Sequence, residues 1–112
     1  MKKENSFLVV LVTASSGEEA ARIAHALVEE GLAGCVNIIR DIRSVYTWKG
    51  KTEDSAESLL IIKTREGLFP ALEKKVKELH SYEVPEVIAL PLAFGSEAYL
   101  DWLYDATARK RS

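Results

Sequence analysis

Residues 34–64 read GCVNIIRDIRSVYTWKGKTEDSAESLLIIKT. Val, Ile, Tyr and Trp crowd the first half of this stretch and Leu and Ile its end, while Lys49, Gly50 and Lys51 interrupt it in the middle. Two such runs on either side of a short glycine-containing break describe a hairpin, with strands over residues 34–48 and about 53–64. Twelve or more extended residues at about 3.3 Å each reach about 40 Å, beyond the end of a domain this small. The hairpin is therefore expected to overhang its own globule. Its phase is also broken. Val36, Ile38 and Ile42 are expected on one face and Val45 on the other, which puts a bulge or strong twist between Arg40 and Ser44.

Outward from the hairpin, the remaining elements follow from periodicity. Residues 7–13 (FLVVLVT) form a continuous apolar run, the mark of a strand covered on both faces or central in its sheet. Ser16 and Glu19 make a capping-box pattern ahead of Ala20, Ile23, Ala24, Leu27 and Val28 at helical spacing, and Gly31 ends that helix. Leu68, Leu72, Val76 and Leu79 set a second helical stripe, with Pro70 in its first turn and its end near His80. EVIALPLA at residues 86–93 reads as a fourth strand with Pro91 at its end or on a sheet edge. Gly95 and Ser96 precede a closing helix in which Tyr99, Trp102, Leu103 and Ala106 are expected to pack inward. The order β-α-β-β-α-β plus one helix predicts an α+β, ferredoxin-like sandwich spanning residues 1–112 as one domain, with an antiparallel sheet and both main helices on one face.

Composition narrows the partners. A formal net charge of -2 gives no electrostatic reason to expect nucleic acid or an anionic membrane. Cys35 is the one cysteine, so no internal disulfide forms, and a reducing, cytoplasmic setting is expected. MKK followed by FLVVLVTA imitates a signal peptide, but Glu4 and Asn5 break the basic region and the apolar run passes directly into a helix start, so a first strand is expected. No apolar run approaches the roughly 18 residues of a membrane span. The overhanging hairpin, with Tyr46 and Trp48 near its tip, predicts self-association, because unpaired backbone and aromatic surface in water invite aggregation unless another chain covers them.

GLAGCVNII, SVYTWKGK, SAESLLIIKT, YEVPEVIALPL and GSEAYLDWL, in that order, resemble the CutA divalent-cation tolerance proteins over nearly the whole chain. The resemblance implies a compact homotrimer whose long hairpins pair edge to edge. It also implies a likeness to the PII nitrogen-signalling proteins and a link to copper and other divalent cations. The sequence departs from the family pattern at Ser81 and Arg40, both often proline, and at Thr47, often aromatic.

Several residues are candidates for a site. Cys35, His80, Glu83 and Glu86 supply thiolate, imidazole and carboxylate, the ligand types of Cu(II) or another divalent cation, but at uneven spacing. The plain alternatives are a buried hydrophobe for Cys35 and a helix-terminating residue for His80. Lys63, Thr64, Tyr82 and Glu57 are candidates for a cleft between subunits that holds a small anion, the alternative for Lys63 being an ion pair with Glu57 or Glu86. Tyr46, Trp48 and Trp102 are candidate trimer contacts. His25, between Arg22 and Glu29, belongs to a solvated helix face. No Walker loop, nucleophile elbow, paired-cysteine motif or acylphosphatase-type loop is present, so the expected role is binding, with no required cofactor and no catalysis.

Overall fold

The computed structural model describes residues 6–108. Its elements are β1 (Phe7–Ala14), α1 (Gly17–Glu29), β2 (Cys35–Trp48), β3 (Lys51–Arg65), α2 (Phe69–Leu79), β4 (Val87–Pro91) and α3 (Glu97–Thr107), with a 3-10 turn at Glu66–Leu68. The four strands order β2-β3-β1-β4 with every neighbouring pair antiparallel, the ferredoxin-like arrangement. β1 is central, which accounts for its unbroken apolar run.

Alternation divides the sheet into two faces. Val10, Val12, Leu60 and Ile62 point to one side and are sealed by Ala20, Ile23 and Leu27 of α1 and Leu72 and Val76 of α2. Ser16 caps α1 by accepting from the Glu19 amide, and Gly31 turns the chain out of it at φ 73. The opposite side carries Val9, Leu11, Leu59 and Ile61 with Ile39, Ile88 and Leu90, of which the last three are 46%, 53% and 54% exposed. This apolar face has no helix over its middle. α3 reaches one end of it, where Leu103 sits fully buried against Gly34.

β2 and β3 run for 14 and 15 residues and give the molecule a longest extent of 52 Å. Lys49 and Gly50 alone form the turn, at φ 52 and 79, so Trp48 pairs with Lys51. Two successive left-handed residues match the twist of a hairpin, which is why β3 starts two residues earlier than its composition suggests. The bulge is where the phase change predicts it. Arg40 and Asp41 together oppose the space between Leu59 and Glu57, with Asp41 at φ 62. Its effect, however, is the reverse of the expected grouping. Ile42 leaves the face of Val36 and Ile38 and joins Tyr46 and Trp48 on the open side, while Val45 returns to the helix side and is 63% exposed beyond the end of the helices. Tyr99 and Trp102 also differ from expectation, remaining 41% and 46% exposed.

Candidate functional site

The chain leaves α2 at His80, whose amide still donates to Val76 while its ψ of 143 ends the helix. Its side chain is fully buried. The Thr13 carbonyl accepts from Nε2 at 2.7 Å, and Nδ1 accepts from the Tyr82 amide at 3.1 Å. Both ring nitrogens are thus occupied in a neutral imidazole, a geometry that pins the segment after α2 to the end of β1. Beside it, Glu19 accepts from the Ser15 amide and hydroxyl at 2.8 and 2.9 Å and from the Ser81 amide at 2.8 Å. Burial opposes ionisation of Glu19, but these donors outweigh it and hold its carboxyl at about 2.

Tyr82 stacks on His80 at 4.7 Å between ring centroids and donates to Glu57 Oε2 at 2.5 Å. Burial, then the Glu57 carboxylate, push the Tyr82 hydroxyl well above its ordinary range, so it stays a donor. A groove of about 750 Å³ opens here between the tip half of the hairpin and residues 82–86. Glu53, Glu57, Glu83 and Glu86 line it together with Tyr46 and Trp48. Lys49 answers one of these carboxylates, standing 3.7 Å from Glu83 with both side chains exposed. The buried Ser55 hydroxyl, on the same strand face as Glu53 and Glu57, has no hydrogen-bond partner.

A second cluster lies toward the other end of β3. Cys35 and Lys63 are opposed across β2 and β3, with Lys63 Nζ 4.0 Å from the Cys35 sulfur and donating to Asn37 Oδ1. The six-position step along β3 from Glu57 to Lys63 separates the two clusters by about 20 Å.

The expected metal set therefore divides. Glu83 and Glu86 line the groove, His80 is enclosed behind it, and Cys35 belongs to the distant cluster. Among the described residues no three His, Cys, Asp or Glu side chains converge closely enough to hold a metal ion. The expected cleft set divides too. Glu57 and Tyr82 meet, Lys63 stands apart without a carboxylate among the described residues, and Thr64 points into the core, where its hydroxyl donates to Leu32 O at 2.7 Å. Sequence reasoning missed Glu53, which two-residue spacing from Glu57 on a strand would have placed beside it, and Glu19, which looked like part of a cap. Asn37, two residues along β2, shares the face of Cys35 by the same spacing, whereas Tyr99 comes to it only from α3.

A four-stranded ferredoxin-like sheet with an overlong hairpin and an acid-lined groove along the tip half of that hairpin defines the structural class. Residues 8–106 match the family described as CutA1 divalent ion tolerance protein, and the chain belongs to that family. It is 52% identical over 99 residues to the divalent-cation tolerance protein CutA of Thermus thermophilus, covering 88% of this chain and 96% of that one. It is likewise 52% identical over 100 residues to the chloroplastic protein CutA 1 of Oryza sativa, covering 89% of this chain and 56% of that longer one. The crystal structure of CutA1 from Oryza sativa superposes with a TM-score of 0.90 at 50% identity, covering 94% and 95% of the two chains. The periplasmic divalent cation tolerance protein CutA of Archaeoglobus fulgidus superposes at 0.88 with 40% identity, covering 90% of this chain and 98% of that one. Relatives thus carry chloroplastic and periplasmic names, and among the described residues no helix is long and apolar enough to cross a membrane.

Proposed function

We propose that the chain acts as a homotrimer that binds divalent cations, Cu(II) foremost, at the acid-lined groove beneath the hairpin, and so contributes to metal tolerance in the cytoplasm. The observation that carries the cation reading is the groove itself, with four glutamates lining it and Lys49 engaging one of them. Carboxylates attract any divalent cation, and Cu(II) leads the first-row series at most nitrogen and oxygen sites. Among the described residues no cage of three ligands closes, and in this reading the binding site is completed by a neighbouring copy. The open apolar face and the overhanging hairpin supply the reason for that neighbour. The role is binding; no catalytic step is assigned.

Calorimetry of the native oligomer with Cu(II) tests the site. Glu83→Gln with Glu86→Gln should weaken binding at least tenfold, while Cys35→Ser leaves it unchanged. Equal affinity and stoichiometry in wild type and the double variant would remove the groove from the account. A PII-like module for a small anionic ligand is the second reading, favoured by Lys63, whose ammonium meets no carboxylate among the described residues. A scaffold with no ligand is the third; it predicts no response to either class of ligand.

A further inference from the structure

Past α3 the sequence continues with Arg109, Lys110 and Arg111, a basic run in a chain whose formal net charge is -2. These three lie outside the described residues, but the place from which they depart is fixed. Arg65 of β3 donates from Nε to the Thr107 hydroxyl at 2.8 Å and from Nη2 to the Thr107 carbonyl at 2.9 Å, which holds the end of α3 at the far end of β3 from the hairpin tip. Glu57 is eight positions back along that strand, about 26 Å away at about 3.3 Å per residue. Arg111 is three residues past Ala108, a span that extended chain covers in about 10 Å. The run therefore falls short of the groove of its own chain. In an oligomer the groove within its range is a neighbour's, and the half-exposed Tyr99 and Trp102 of α3 mark the helix that carries it as a surface expected to meet another copy.

The groove is complementary to such a run. Glu53, Glu57, Glu83 and Glu86 line it, and Lys49 answers only the third of these. Tyr46 and Trp48 add half-exposed rings, the kind of surface on which a guanidinium stacks. Between Glu53 and Glu57 on the same strand face, the buried Ser55 hydroxyl has no hydrogen-bond partner, so the floor keeps acceptor capacity for a donor. We propose that residues 109–111 of one copy dock in the acid-lined groove of a neighbouring copy, where their guanidinium and ammonium groups meet Glu53, Glu83 and Glu86. The docking rests on self-association and needs no metal. It also bears on the cation reading, because a tethered positive charge in the groove competes with a divalent one.

The test is zero-length carbodiimide cross-linking of oligomers assembled from equal parts of chains labelled with light and heavy nitrogen, read by mass spectrometry. No lysine lies between Lys77 and Lys110, so links from Lys110 are assigned without ambiguity. Links from Lys110 to Glu53, Glu83 or Glu86 that join a light chain to a heavy one are expected. Lys75 and Glu30, 3.1 Å apart within one chain, report that the reagent has acted. Glu83→Gln with Glu86→Gln should lower the remaining mixed-label link from Lys110 to Glu53 about fivefold, the size expected when two exposed ion pairs are lost. The proposal is overturned if Lys110 links only to carboxylates outside the groove, Asp105 of its own chain foremost. It is equally overturned if Lys110 forms no link while Lys75 and Glu30 do, or if the Glu53 link is undiminished in the double variant. Cu(II) calorimetry reads the cation site separately, so binding that persists beside any of these results leaves that reading standing.

Discussion

The Tyr82 hydroxyl and the Glu57 carboxylate, 25 residues apart in sequence, meet at 2.5 Å and tie the segment after α2 to the middle of β3. Glu57 is 6% exposed, and the Tyr82 hydroxyl is the donor that its Oε2 accepts from. Tyr82→Phe should lower stability by about 1–3 kcal/mol, because it leaves a buried acceptor unpaired. Urea denaturation checks this, and an unchanged midpoint would mean that the carboxylate is satisfied by water instead.

Glu19 makes stability depend on acid. Its folded carboxyl lies at about 2 against 4.5 for the free group, a depressed value, so its contribution is complete above about 4.5 and is lost as pH falls toward about 2. The difference corresponds to about 3 kcal/mol. Glu19→Gln should therefore flatten the loss of stability between pH 4.5 and 2, as followed by denaturation at a series of pH values. An acid limb of the same steepness in the variant would refute the assignment.

Gly34 lets α3 dock. A Cβ there would stand 2.5 Å from Leu103 Cδ1, 3.5 Å from the Trp102 ring and 3.6 Å from the Ala106 Cβ. Gly34→Ala should cost about 1–3 kcal/mol through overpacking. It should also shift the tryptophan fluorescence, since Trp102 lies on the displaced helix. A thermal melt and emission spectrum matching wild type would show that α3 yields without cost.

Local patterns in the sequence carried most of the fold. The helix stripes of α1 and α2, the Ser16 cap and the interrupted run around Gly50 all depend on neighbours in the chain, and each lies near its expected place. The bulge shows the limit. Periodicity put it between Arg40 and Ser44, and the register shift falls between Ile39 and Ile42, but which residues face the helices is decided by pairing with β3, so the grouping of Ile42 came out reversed. The site was less legible for the same reason. Thr64 and Lys63 are adjacent in sequence and lie on opposite faces of the sheet, one against Leu32 and the other beside Cys35. His80 gave the right local signal, a helix end, but its burial against Thr13 depends on a strand 67 residues away. Tyr99 and Trp102 looked like core on helical spacing; in the single chain they remain partly in water, as residues expected to meet another copy would be.

Self-association is the claim on which the groove and its cation depend. Light scattering coupled to size-exclusion chromatography measures it directly, at micromolar chain concentration in moderate salt. The account predicts a single species of three times the 12.5 kDa chain mass, persisting on dilution. A stable, well-folded species of one chain mass under those conditions would contradict it, because the apolar sheet face and the hairpin would then stand uncovered in water.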